Sequence, residues 1–241
     1  MSMDINCDMG ESRDFLDSGH DASLMPYISS VNIACGYHAG SEYIMKKTVE
    51  NALKLGLKIG AHPGFADLEE FGRREIVLSN DEIKSLILRQ LEVLTKISEA
   101  FGVKLNHIKP HGALYNMSAK KVDYARSIAE AVFSFDKSLI LYGLSGSLST
   151  QESKKIGLQT YEECFADRTY RADGSLSNRK EPNAVKSDLD EVKKQAHALA
   201  HGLEIISSEG YPLKLKCDSI CIHSDTPNAL TFAKAIAEVI L

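Results

Sequence analysis

The feature that most constrains this chain is a repeated alternation. Seven short runs rich in Ile, Val and Leu recur along the sequence, and most are followed by a polar or glycine-containing turn and then a stretch with helical periodicity. Such alternation predicts parallel strands joined by right-handed crossovers. The runs fall at Met3–Cys7, Val31–Ala34, Leu57–Ala61, a segment ending near Ile108, Leu139–Tyr142, Leu158–Glu162 and Ser219–Ile222. They read as apolar on both faces, as buried parallel strands do. With 241 residues and no internal repeat, linker or low-complexity segment, residues 1–241 form one domain. A closed α/β barrel of seven or eight strands fits that length best, with an open doubly wound sheet as the alternative.

Helix signals separate the runs. Ser41 reads as the N-cap of a helix reaching about Leu55, with Gly56 as its stop. Ser79 or Asn80 caps a helix to about Ala100, with Asp81 and Glu82 in its first turn. Its stripe of Ile83, Leu86, Ile87, Leu91, Leu94 and Ile97 has helical spacing. Further helices are expected near 22–27, over 119–133, up to Ile156, over 188–201 and up to Leu241. Residues 169–186 are polar and carry Gly174 and Pro182, so they read as a long loop, the kind that is usually functional or disordered. Ile205-Ile206 and Leu213-Leu215 suggest a small hairpin.

The chemistry gathers where strands end. In Asn106-His-Ile-Lys-Pro-His-Gly-Ala-Leu-Tyr-Asn116, Pro110 stops the strand and places Lys109 and His111 in a strand-to-helix turn. Asp8, His38, His62, His223 and Asp225 likewise follow apolar runs by a few residues. In a barrel the C-terminal strand ends share one face, so these residues are expected to converge on a cleft. Asp8, His38 and His62 are candidate ligands for a divalent metal, although no H-E-x-x-H or H-x-x-E-H spacing occurs. Asp8 and Glu11 can divide into a base and a partner of raised pKa. Cys35 with His38 or His62 is a conceivable nucleophile pair, against the commoner reading of a buried structural thiol. His197 and His201, four apart on a helix, read as a solvated face rather than a metal clip. Gly143-Leu-Ser-Gly146 weakly resembles a phosphate-cradling turn and lacks the G-K-[ST] of a Walker motif.

Composition narrows the partners. A net charge of −5 and no basic, aromatic-interleaved patch give no reason to expect nucleic acid or an anionic membrane. No apolar run approaches the ~18 residues of a membrane span. Five cysteines without a C-x-x-C pair, and an N-terminus without signal-peptide regions, point to the cytoplasm. Oligomeric state is left open, a homo-oligomer included.

Seven motifs together resemble one family. Asn6-Cys-Asp-Met-Gly-Glu11, Asn32-Ile-Ala-Cys-Gly-Tyr-His-Ala-Gly40, Gly60-Ala-His-Pro-Gly64, Phe71-Gly-Arg-Arg74, Lys109-Pro-His-Gly-Ala-Leu-Tyr-Asn116, Phe165-Ala-Asp-Arg168 and His223-Ser-Asp-Thr-Pro227 occur in the order of the LamB/YcsF family. The resemblance runs from about residue 3 to the C-terminus. It implies a seven-stranded, TIM-like β/α barrel of the glycoside hydrolase/deacetylase superfamily. It also implies a cyclic-amide hydrolase: ATP-dependent opening of 5-oxoproline to glutamate, as the A subunit of a 5-oxoprolinase with B and C subunits. ATP is then a co-substrate whose handling depends on partners. Carried onto this sequence, catalytic roles are expected for Asp8, Glu11, His62, Lys109 and His111, and substrate contacts for Asn6, Asn32, His38, Arg168, His223 and Asp225. Lys109 or Arg168 would meet the substrate carboxylate. Two positions depart from the family pattern: Ser41 stands where Asp is usual, and Ser224 where Gly is usual. The first keeps a capping oxygen, and the second adds a side chain near the cleft. A metal-dependent deacetylase or polysaccharide hydrolase, and a non-enzymatic scaffold, are the alternatives.

Overall fold

The computed structural model describes residues 3–179, 181–226 and 228–240. Seven parallel strands close into a barrel: β1 (Asp4–Met9), β2 (Ser30–Ala34), β3 (Lys58–His62), β4 (His107–Ile108), β5 (Ile140–Leu144), β6 (Thr160–Phe165) and, last in the ring, Ser219–Ile222. A separate antiparallel hairpin supplies β7 (Ile205–Ile206) and β8 (Pro212–Leu213), which makes the last barrel strand β9. Pairing of Asp4 with Ser219 and Cys7 with Ile222 joins β1 to β9. That closure excludes the open-sheet alternative.

Around the barrel lie α1 (Arg13–Asp17), α2 (His20–Leu24), α3 (Glu42–Lys54), α4 (Asn80–Ala100), α5 (Gly112–Lys120), α6 (Val122–Phe135), α7 (Leu148–Lys155), α8 (Leu189–Ala200) and α9 (Ala229–Ile240). Their starts follow the capping chemistry. Ser41 Oγ accepts the Ile44 N–H at the head of α3. Ser79 and Glu82 form a reciprocal capping box on α4, and Asp188 caps α8. The α4 stripe Ile83, Ile87, Leu91, Leu94 and Ile97 is buried against the barrel. Leu241, expected at the end of the last helix, lies outside the described residues, as does Pro227.

Three expectations need correction. The segment after β4 is helical from Gly112, not from residue 119: α5 and α6 are separate helices broken at Lys121, whose backbone is extended. A helix, α1, also forms at Arg13–Asp17, where Ser12 Oγ accepts the Phe15 N–H. The third correction matters most. The strands are not apolar on both faces. Along β1, Ile5, Cys7 and Met9 belong to the hydrophobic core shared with the helices, while Asp4 and Asn6 join a hydrogen-bonded network inside the barrel. Asp4 Oδ2 accepts from Ser30, Ser219 and Tyr142. Asn6 Nδ2 donates to Glu163 and Ser219, and Asn32 Nδ2 donates to Asn6 and Asp8. The His107 Nε2 lies 2.8 Å from Asn32 Oδ1. Such a polar interior is tolerated only because its members satisfy one another. It makes a rigid floor under the C-terminal mouth.

Candidate active site

At that mouth a cavity of about 560 Å³ opens. Asp8 from β1, His62 from β3, Lys109 and His111 from the β4–α5 turn, Phe165 from β6, and His223 and Asp225 beyond β9 all line it. Glu11 lines it too, from the turn after β1. Residues far apart in sequence therefore meet on one face, for the topological reason that all strand ends point the same way.

Lys109 is the pivot of the floor. Its Nζ is buried 2.9 Å from Asp8 Oδ1, 2.9 Å from Glu163 Oε1, 3.2 Å from Asn6 Oδ1 and 3.0 Å from Cys221 Sγ. An ammonium has three N–H bonds, and these partners account for them. Lys109 therefore holds Asp8 in place rather than presenting a free cation to a substrate carboxylate. Burial alone would lower the Lys109 pKa, but the carboxylates of Asp8 and Glu163 and the Cys221 sulfur outweigh it and keep the ammonium charged. Burial would likewise raise Asp8; the charges of His62 and Lys109 overcome that and hold it well below the usual carboxylate range. Asn6 and Asn32 are fully buried beneath the cavity. They orient Lys109 and Asp8 from below and do not line the space a substrate would enter.

Beside Asp8 stands a cluster of Glu11, His38, His62 and His111. Their donor atoms lie within 4.8 Å of one another, so the four can hold a metal ion. Each ring is fixed by its surroundings. His62 Nδ1 is 2.7 Å from the Lys109 carbonyl oxygen, and His111 Nε2 is 2.9 Å from the Phe71 carbonyl oxygen. Phe71 makes that contact from a left-handed backbone conformation (φ 54°), which costs a non-glycine residue on the order of 1–3 kcal/mol. His38 stacks on His111 with ring centres 3.8 Å apart. It fits only because Gly64 and Gly72 approach it: a Cβ on Gly64 would come 2.5 Å from His38 Nδ1, and one on Gly72 2.8 Å from His38 Cβ. Burial raises Glu11 to about 8, the His62 charge opposing it. Burial lowers His111 to about 3 and depresses His38 strongly, with neighbouring histidines adding to both. His62 is raised, because Asp8 outweighs the burial that would lower it. The donor set shares His38 and His62 with the sequence-derived trio: Asp8 Oδ2 is 3.4 Å from His62 Nε2, yet Asp8 faces Lys109 and Asn32, and Glu11 and His111 complete the group in its place.

The opposite wall carries a second pair. His223 Nδ1 lies 3.0 Å from Asp167 Oδ2, and the His223 ring stacks on Phe165. Asp225 accepts from Arg73 at 2.6 Å. Arg168 reaches the cavity but is committed to structure: its guanidinium donates to the carbonyls of Ala184 and Ser177, pinning the 169–186 loop. That loop folds over the mouth through antiparallel bridges of Arg168 with Val185 and Tyr170 with Leu176, and brings Arg171 and Arg179 to the rim. With Arg73 and Lys120 they make a rim rich in cations, in which Asp225 pairs with Arg73 and Glu181 with Arg171. Sequence reasoning quoted Arg73 only within the Phe71-Gly-Arg-Arg74 motif and did not single out Lys120, Arg171 or Arg179; for the last two the unusual loop length was the available signal.

Other candidates resolve differently. Cys35 is buried with its thiol on the Ile33 carbonyl, and burial pushes it up to about 12, which removes it as a nucleophile. His197 and His201 are exposed, and His201 Nδ1 bonds the His197 carbonyl. The Gly146 N–H is taken by the Glu162 carboxylate, so that turn presents an anion where a phosphate would need a donor. Ser224 is buried and its hydroxyl donates to the Asp8 carbonyl, tying β9 to β1 at the mouth. Among the described residues no helix is long and apolar enough to cross a membrane.

Known proteins share the whole chain. A protein of Brevibacillus brevis, described as the A subunit of 5-oxoprolinase, is 46% identical over 239 residues, covering 99% of this chain and 94% of its own. One of the same description from Staphylococcus carnosus is 45% identical over 238 residues, covering 99% and 94%. A crystal structure of a lactam utilization protein from Thermus thermophilus superposes with a TM-score of 0.92 at 38% identity, covering 99% of this chain and 96% of that one. The LamB/YcsF family profile matches residues 3–241. Fold, motif order and full-length similarity agree, and the chain belongs to the LamB/YcsF family.

Proposed function

We propose that this chain is the lactam-opening component of a 5-oxoprolinase, converting 5-oxo-L-proline to L-glutamate with ATP in a complex with B and C subunits. The observation that carries the proposal is the full-length similarity to relatives described as the A subunit of 5-oxoprolinase. The site chemistry suits the reaction. A five-membered lactam is a poor electrophile, and coupling to ATP by phosphorylating the amide oxygen would activate it. Asp8, ionised and anchored by Lys109, is placed to accept a proton from water at the cavity floor. His223, with Nδ1 on Asp167, has Nε2 available to protonate the leaving ring nitrogen. Of the rim cations, Arg73 and Arg171 are held by Asp225 and Glu181, and Lys120 and Arg179 would receive an anionic carboxylate or phosphoryl group.

The chain carries no Walker motif, so the nucleotide chemistry is assigned to the assembled complex, in the cytoplasm. Reconstitution tests this directly: the chain is mixed with candidate partner subunits, 5-oxoproline and ATP, and glutamate is measured. Glutamate that requires ATP, this chain and a partner supports the proposal. Robust ATP-coupled glutamate formation by the purified chain alone would refute the dependence on partners, and no turnover of any cyclic amide by the complex would refute the substrate class.

A further inference from the structure

We propose that Glu11, His38, His62 and His111 form a binding site for one first-row divalent cation of the zinc class, set into the wall of the cavity. The inference rests on the donors alone and does not depend on the lactam reading.

Lone-pair directions point to a cation. A carbonyl oxygen only accepts, so the ring nitrogens facing the Lys109 and Phe71 carbonyls carry their hydrogens: Nδ1 of His62 and Nε2 of His111. Each neutral ring then has an unprotonated nitrogen left. Those two nitrogens, His62 Nε2 and His111 Nδ1, face each other at 2.9 Å. Two lone pairs at that distance repel unless something positive is shared between them. Backbone carbonyls that fix the tautomer of an imidazole are also the usual outer support of a histidine ligand.

Unmet hydrogen-bonding demand points the same way. Glu11 Oε1 and both ring nitrogens of His38 are buried without a hydrogen-bond partner. Buried polar atoms are rarely left so. Glu11 Oε1 lies 3.4 Å from His111 Nδ1, 3.5 Å from His38 Nε2 and 3.8 Å from His62 Nε2. Ligand bonds of about 2.0–2.2 Å to a tetrahedral ion require donor–donor separations of roughly 3.3–3.6 Å. The carboxylate distances of 3.4 and 3.5 Å fall within that range and that of 3.8 Å lies just above it, and the 2.9 Å histidine pair needs only a small opening. Three imidazoles and one carboxylate suit zinc or cobalt better than magnesium or calcium, which prefer all-oxygen shells.

The frame around these donors is rigid. His38 is held between Gly64 and Gly72, with no room for a Cβ on either, and stacks on His111. Phe71 accepts a strained backbone to hold His111. Glu11, His62 and His111 also line the cavity, so a cation there borders the space where a carbonyl oxygen would enter, and would polarise it.

The competing occupant is a proton shared by His62 and His111, and the test separates the two. The full chain is stripped with a chelator, dialysed against zinc chloride and then against buffer, and bound zinc is measured by elemental analysis. Cobalt chloride is used in parallel for its visible absorption. The expected result is one zinc per chain, tetrahedral-type cobalt absorption, and loss of at least 90% of both in H38Q, with His201→Ala unchanged. Where H38Q does not fold, E11Q, which removes only a charge, carries the same comparison and should weaken zinc binding by at least tenfold. Less than 0.2 zinc per wild-type chain would overturn the proposal in favour of the proton. Equal zinc in wild type and the folded variant would overturn it in favour of a site elsewhere.

Discussion

Replacing Lys109 by Met removes the cation that two buried carboxylates share while keeping an unbranched side chain of similar length. In the native chain, Asp8 Oδ1 and Glu163 Oε1 each lie 2.9 Å from Nζ, and Glu163 is fully buried. Breaking such a pair by removing one partner typically costs 3–5 kcal/mol, because charge is left without compensation. Protonation limits the loss. A carboxyl that ionises near 4 in the unfolded chain can take up a proton at a cost of about 1.4 kcal/mol per pH unit. The ceiling from one stranded carboxylate is therefore roughly 4 kcal/mol at pH 7 and roughly 1 kcal/mol at pH 5. Urea denaturation of wild type, K109M and the double variant K109M/E163Q at both pH values reads these quantities. K109M should lose about 4 kcal/mol at pH 7 and markedly less at pH 5, and the double variant should recover at least half of the pH 7 loss. A loss independent of pH, or additive effects in the double variant, would refute the view that Lys109 is held by charge.

Other consequences follow from single contacts. Ser41→Ala removes the oxygen that accepts the Ile44 N–H, and should cost about 1 kcal/mol in denaturation with turnover unchanged. In Asp167, burial would raise the pKa but the neighbouring His223 outweighs it and holds the carboxyl below the usual range. A depressed carboxyl stabilises the fold above its unfolded pKa of about 3.9, and that stabilisation is lost as pH falls through the folded value. The stability gap between wild type and D167N should thus be full above about pH 5 and narrow below about pH 4; a gap already closed at pH 6 would contradict the pairing. His223→Asn in the reconstituted complex should lower kcat by about 10²–10⁴-fold, as loss of a proton donor does. A change confined to KM would instead make His223 a binding residue.

Much of the scaffold was legible because local rules and tertiary structure agree. Ser41 and Ser79 cap the helices that their hydroxyls announce, and β9 spans the residues its apolar run marks. The gathering of Asp8, His62, Lys109 and His223 at one mouth followed from strand-end position alone. What failed did so for physical reasons. Asp4, Asn6 and Asn32 alternate with apolar neighbours, yet the runs read as apolar on both faces, because a polar barrel interior is satisfied only by partners on other strands. Lys109 looked like a free cation since nothing local reveals Glu163, 54 positions away and at the same ammonium. α5 was obscured by Pro110 and Gly112, which punctuate the chain just where a helix begins. Arg171 and Arg179 sit on a loop without periodicity, where only length hinted at a role.

The proposed mechanism turns on Asp8 as the base at the floor of the cavity, and Asp8→Asn in the reconstituted complex tests that role most directly. The side chain keeps its shape and its oxygen toward Lys109 and Asn32 but cannot take a proton from water. Assembly with partner subunits should be unchanged and ATP-dependent glutamate formation should fall by about 10²–10⁴-fold. Turnover within twofold of wild type in an intact complex would contradict this role for Asp8.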